Sequence, residues 1–107
     1  MNLLMEFVET SIFTQRITKL LTDDEYDDLQ AVLAEHPKAG DVIPGAGGLR
    51  KLRWRAAGRG KRGGLRIIYY CWSEDRLYMI FAYDKAEQGD LTPEQLKVLR
   101  AYVKGGV

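Results

Sequence analysis

Residues 49–72, LRKLRWRAAGRGKRGGLRIIYYCW, leave a folding chain few options. Cations and apolar residues alternate in the first part, with Lys51, Arg53 and Arg55 at every second position and Leu52 and Trp54 between them. Successive side chains of a β-strand point to opposite sides, so this pattern predicts a strand with one charged face and one core face. Gly58, Gly60, Gly63 and Gly64, interleaved with Arg59, Lys61 and Arg62, then predict a hairpin loop. It leads into a second strand over 65–72, which opens with another cation, Arg66.

Arg50, Lys51, Arg53, Arg55, Arg59, Lys61, Arg62 and Arg66 are half of the sixteen lysines and arginines, and no acid interrupts them. Like charges crowded together repel, and a chain that keeps such a cluster usually offsets the cost with a polyanionic partner. A short charge run is more often only a solvated face. Here the cations lie on a strand whose reverse side is aliphatic and aromatic, which favours a nucleic-acid backbone as the ligand. The formal net charge of +1 hides this asymmetry, because acids such as Asp23, Asp24, Glu25, Asp27 and Asp28 balance the basic middle.

The remaining elements follow in order. Residues 3–8, LLMEFV, form a short apolar run that predicts an opening strand. Phe13, Ile17, Leu20 and Leu21 recur at helical spacing, with Thr10 or Ser11 as the cap. Thr22-Asp23-Asp24-Glu25 has the spacing of a capping box, and its acids suit the positive end of the next helix. Tyr26, Leu29 and Leu33 form that helix's apolar stripe, and Pro37 with Gly40 ends it. After the 65–72 strand, Ser73-Glu74-Asp75 is a turn and RLYMIFAY, residues 76–83, is a third strand. Thr92-Pro93-Glu94-Gln95 then starts a last helix lined by Leu96, Leu99 and Val103. The expected fold is one α+β domain over 1–107: an antiparallel-dominated sheet carrying an N-terminal helical hairpin and a C-terminal helix.

Several classes of chemistry are disfavoured. With Cys71 alone, neither an intramolecular disulfide nor a thiolate metal cage can form, and a cysteine within a β pattern is expected to act as a small buried hydrophobe. His36 is the sole histidine, placed at a helix C-terminus before Pro37, so a structural or surface role is expected and any nuclease must work without a histidine pair. No apolar run approaches the length of a membrane span and no signal-peptide pattern opens the chain, so no membrane association is expected and the cytoplasm is the expected compartment.

Three segments, GDVIPGAGGLRKLRW, GRGKRGGLRIIYY and YDKAEQGDLTPEQLK, occur in the order and separation of the RelE/HigB group of bacterial type II toxins, and the chain resembles the HigB-like branch along essentially its whole length. The resemblance implies a RelE-like fold and a ribosome-dependent, metal-independent mRNA endonuclease with no cofactor. It also implies a cognate antitoxin, often a HigA-like helix-turn-helix protein that binds operator DNA, so that any contact of the toxin with that DNA is indirect. A non-catalytic relative of the ParE type, acting on DNA gyrase, and a plain RNA-binding module are the competing readings. The set Lys51, Arg53, Arg66 and Lys85 favours the enzyme, since a gyrase binder has no use for a phosphate-bracketing array.

Cleavage of RNA without metal requires deprotonation of a ribose 2′-OH, stabilisation of charge on phosphorus and protonation of the leaving 5′ oxygen. Lys51 and Arg53 have Cα atoms about 6.6 Å apart on an extended strand, a span that brackets one phosphodiester. Arg53 and Arg66 are assigned the transition-state charge, and Lys51 a proton-accepting or positioning role. By its place in the YDKAE segment Lys85 resembles the family's cation after the last strand, a candidate for leaving-group protonation or phosphate contact. Tyr83 is either a base-stacking or orienting group, or a core aromatic. Arg50, Arg55, Arg59, Lys61 and Arg62 are expected contacts to RNA and ribosome. The RelE pattern has a second lysine where this chain has Arg53 and a tyrosine after the last strand, where residues 84–95 have none, so the base and the acid are left unassigned.

Overall fold

The computed structural model describes residues 4–55 and 64–104. Its elements are β1 (Glu6–Glu9), α1 (Ser11–Leu20), α2 (Asp23–Glu35), β2 (Asp41–Val42), β3 (Arg50–Trp54), β4 (Leu65–Ser73), β5 (Arg76–Asp84) and α3 (Pro93–Lys104). The strands form one sheet in the order β1-β5-β4-β3-β2. Only β1 against β5 is parallel, and the other three pairings are antiparallel. The α+β class and the antiparallel-dominated sheet are as expected from sequence.

The apolar continuity of β4 and β5 has its cause in burial on both sides. On one face Leu65, Ile67, Tyr69, Leu77 and Met79 pack with Phe13 and Ile17 of α1 and Leu29 and Leu33 of α2. On the other, Ile68, Ile80 and Tyr83 pack with Leu49 and with Leu99 of α3. A strand covered twice has no polar face to alternate with.

Local signals set the helix ends. Thr10 caps α1, its side chain accepting from the Phe13 N–H, and at α2 both halves of the Thr22–Glu25 capping box are formed. α3 has the same device, with the Thr92 N–H donating to Gln95 Oε1 and the Gln95 N–H to Thr92 Oγ1, each at 3.0 Å. Two details differ from the sequence reading. The opening strand is Glu6–Glu9, shifted from the apolar run at 3–8, because pairing with Arg76–Met79 of β5 sets its limits; Leu4 lies outside it, exposed. The edge strand β2, only two residues long, carries no periodicity from which it could have been read.

One irregularity positions the site. Between Ile68 and Tyr69 of β4 the register on β5 jumps from Phe81 to Met79, which leaves Ile80 as an extra residue. Such a bulge changes the phase of the strand beyond it. Met79 faces the α1–α2 core, and simple alternation would send Tyr83 there too; instead Tyr83 stands opposite Arg66. Thr10 holds the bulge, its N–H donating to the Met79 carbonyl at 3.0 Å and its hydroxyl to the Ile80 carbonyl at 2.8 Å.

Candidate functional site

The β3–β4–β5 ladder assembles a cationic site on the α3 face of the sheet. Arg53 is the Cα partner of Arg66, and Arg66 is the partner of Tyr83, so the three form a row across neighbouring strands. Residues opposite one another share a face. Lys51, two residues before Arg53, lies on the same side and opposite Ile68. Leu52 and Trp54 turn to the α1–α2 core, as the alternation requires.

At the end of this row lies an open pocket of about 440 Å³ lined by Arg53, Trp54, Arg55, Arg66 and Lys85. Four of these five residues are cations and none is an acid. Arg66 is 7% exposed and its Nη1 donates to the Leu65 carbonyl at 3.3 Å, which makes it a fixed part of the wall. Arg53, Arg55 and Lys85 are exposed and reach the solvent around it. Lys85 is set by the backbone, because its N–H donates to the Gly64 carbonyl at 3.0 Å and so continues the β4–β5 pairing beyond Leu65 and Asp84. Such an arrangement matches a phosphate group: guanidinium forks present paired donors to phosphate oxygens, and an ammonium adds a compact charge.

Tyr83 takes the core-aromatic alternative, and Arg50 stands apart from the cluster. Tyr83 is fully buried and its ring packs at 6.0 Å from Phe81, which leaves no face for a base to stack on. Its hydroxyl points to Asp90 Oδ1 at 3.5 Å; burial foremost, and then the Asp90 charge, push the phenol pKa up. Arg50 lies on the opposite face, beside Tyr69, and its Nη1 donates to the Gly40 carbonyl at 2.7 Å and the Lys38 carbonyl at 3.4 Å. It ties β3 to the turn after α2 and stands apart from the cationic cluster. Arg59, Lys61 and Arg62 lie outside the described residues.

Asp90 is the group that sequence reasoning missed. Its carboxylate accepts from the Leu91 N–H at 2.8 Å and lies 3.3 Å from Lys51 Nζ. The Leu91 N–H first, and the Lys51 ammonium second, hold its carboxyl below the usual range. A single acid in a polar loop gives no periodic signal, and only the fold brings it to Lys51, thirty-nine positions away.

His36 and Cys71 line a separate cavity of about 790 Å³ with Glu35, Pro37, Lys38, Ala39, Ser73 and Glu74, none of which borders the cationic pocket. Cys71 Sγ lies 3.4 Å from the Pro37 carbonyl, and burial pushes the thiol up, which suits a packed side chain rather than a nucleophile. Among the described residues no group of three or more His, Cys, Asp or Glu is placed to hold a metal ion, and no helix is long and apolar enough to cross a membrane.

Residues 11–106 match the family described as RelE toxin of the RelE/RelB toxin-antitoxin system. The fold is similar to that of a free-state E. coli toxin RelE carrying two arginine-to-alanine substitutions, with a TM-score of 0.59 and 14% identity over 96% of this chain and 98% of that one. The chain therefore belongs to the RelE family of toxins. Membership carries with it a cognate antitoxin and inhibition of translation.

Proposed function

We propose that this protein inhibits translation as a ribosome-dependent endoribonuclease that cuts mRNA in the ribosomal A site without a metal. The observation that carries the reading is the pocket where Arg53, Arg55, Arg66 and Lys85 meet, beside Lys51 on the same face. In the reaction a ribose 2′-OH loses its proton and attacks the adjacent phosphorus, and the bond to the 5′ oxygen breaks. The products are a 2′,3′-cyclic phosphate and a 5′-hydroxyl that has gained a proton. Charge accumulates on the non-bridging oxygens at the transition state, and fixed cations stabilise it more there than in the ground state. Arg53 and Arg66 take that role, Lys85 contacts the phosphate or protonates the leaving oxygen, and Lys51 positions or accepts a proton. Among the described residues few groups at this site are suited to proton transfer, so holding the RNA in line for attack is assigned to the ribosome.

The three segments that resemble the HigB-like branch support a helix-turn-helix antitoxin of the HigA type as the partner, with operator DNA contacted through it. The test is to add the purified protein to a coupled translation system and map mRNA ends. New ends confined to translated message support the reading. Intact mRNA with loss of DNA supercoiling assigns the protein to the gyrase-directed class instead.

A further inference from the structure

The loop between β5 and α3 is built to hold one carboxylate. Asp84 starts it, accepting from the Ala86 N–H through its side chain at 2.8 Å and from the Glu87 and Gln88 N–H groups through its carbonyl. Gln88 Nε2 donates to the Asp90 carbonyl at 3.0 Å and to Gln95 Oε1 at 2.8 Å, which ties the loop to the capping box of α3. Asp90 is thus held from both sides, and its Oδ1 collects the Leu91 N–H, the Tyr83 hydroxyl and Lys51 Nζ. The Tyr83 ring beneath it is buried core. A long lysine side chain is mobile unless something orients its ammonium. The group that orients this one is mounted on a hydrogen-bonded loop and backed by the core.

We infer that Asp90 is a positioning residue: its carboxylate anchors the Lys51 ammonium beside Arg53, at the height where the RNA phosphate meets the cationic row. The inference rests on the endonuclease reading above and extends it to a residue that touches no substrate. Because Asp90 acts through Lys51, its removal lowers turnover and leaves substrate binding nearly intact, whereas a carboxylate that merely blocked the site would slow binding and its loss would speed the reaction. The pair is exposed, with side-chain exposures of 33% for Lys51 and 72% for Asp90, so it contributes little to folding and its loss leaves the protein folded.

The experiment compares wild type, Asp90→Ala, Asp90→Asn, Lys51→Ala and the Lys51→Ala/Asp90→Ala double variant on mRNA held in programmed ribosomes. Asp90→Ala is expected to lower kcat about tenfold with KM within twofold, a loss at the lower end of what misplacing a catalytic group costs. Asp90→Asn keeps an oxygen acceptor for Leu91, Tyr83 and Lys51 and is expected to recover most of the rate. In the Lys51→Ala background Asp90→Ala is expected to add no further loss. A second readout needs no turnover: acylation of Lys51 by acetic anhydride, followed by mass spectrometry, is expected to be faster in Asp90→Ala than in wild type. Cleavage by wild type that Asp90→Ala leaves within twofold, or accelerates, overturns the assignment, as does unchanged acylation of Lys51. Absence of cleavage by the wild-type protein itself overturns the endonuclease reading.

Discussion

Arg53 and Arg66 stand directly opposite each other across β3 and β4, two guanidinium-bearing residues at one rung of the sheet. Like charges so placed destabilise a sheet, and the cost is one that a phosphate between them reverses. Arg53 is the exposed member. Replacing it with threonine, a good strand former, is expected to raise stability by about 0.5 kcal/mol while lowering cleavage. Urea unfolding and the ribosome assay measured on the same preparation check both halves. A stability loss would mean that the two arginines support the fold.

Arg66 differs from Arg53 in being buried, so its donors are aimed rather than free to search. Preorganised donors of this kind account for rate losses of about 10²–10³ when one is removed. Arg66→Ala is therefore expected to lower cleavage by roughly 10² or more while the protein still binds ribosomes. Arg66→Lys keeps the charge but not the planar fork, and is expected to recover only part of the rate. Undiminished cleavage by Arg66→Ala would remove it from the site.

The bulge at Ile80 makes Thr10 a remote determinant of the site. Thr10→Val keeps the shape but removes both the α1 cap to the Phe13 N–H and the donor to the Ile80 carbonyl. Leaving these buried groups unpaired costs about 2 kcal/mol. The expected result is a lower denaturation midpoint. Cleavage is also expected to fall, because Tyr83, the support beneath Asp90, owes its direction to that bulge. Hydrogen exchange at the amides of residues 79–83 gives the local readout.

That bulge also marks where the sequence stops being legible. The three long strands, three helices and the two capping boxes follow from alternation, helical spacing and hydroxyl–carboxylate or hydroxyl–amide spacing, all local properties. Lys51 and Arg53 share a face by the alternation that named them, whereas Arg66 reaches that face through the β3–β4 register, which alternation within one strand does not give. Arg50 lies on the reverse face, as its parity requires, and a run of cations counted together does not show that division. The base-stacking option for Tyr83 and the omission of Asp90 have a different cause: both depend on a phase change inside β5 and on a loop folding back to β3, and no window of sequence contains either.

Tyr26 carries a pH prediction. Its hydroxyl donates to Glu9 Oε2 at 2.6 Å, and burial first, then this bond and the Glu9 charge, push the phenol pKa well above its ordinary value. The folded state holds the phenolic proton more tightly than the unfolded chain. Its contribution is therefore complete below the unfolded value of about 10 and is lost as pH rises beyond it. Tyr26→Phe is expected to cost about 1 kcal/mol at pH 8. The gap between it and wild type should close as unfolding is followed from pH 9 to 11, and a gap constant over that range would contradict the account.

Salt dependence separates the two faces of β3. Cations that neutralise RNA phosphates release counterions, and each contact adds about −0.7 to the log–log slope of affinity against salt for single-stranded RNA. Binding to programmed ribosomes that engages about four phosphates along the cationic face is expected to fall with a slope of roughly −3. To prevent turnover, the scissile nucleotide is given a 2′-deoxy sugar. Arg53→Ala is expected to make the slope shallower by up to about 0.7, because Arg53 shares its phosphate with Arg66. Arg50→Ala is expected to leave it unchanged, since that guanidinium is committed to the Lys38 and Gly40 carbonyls on the far side of the sheet. If both substitutions lowered the slope equally, the RNA would have to meet both faces of the strand, and the division of β3 into a binding side and a structural side would be wrong.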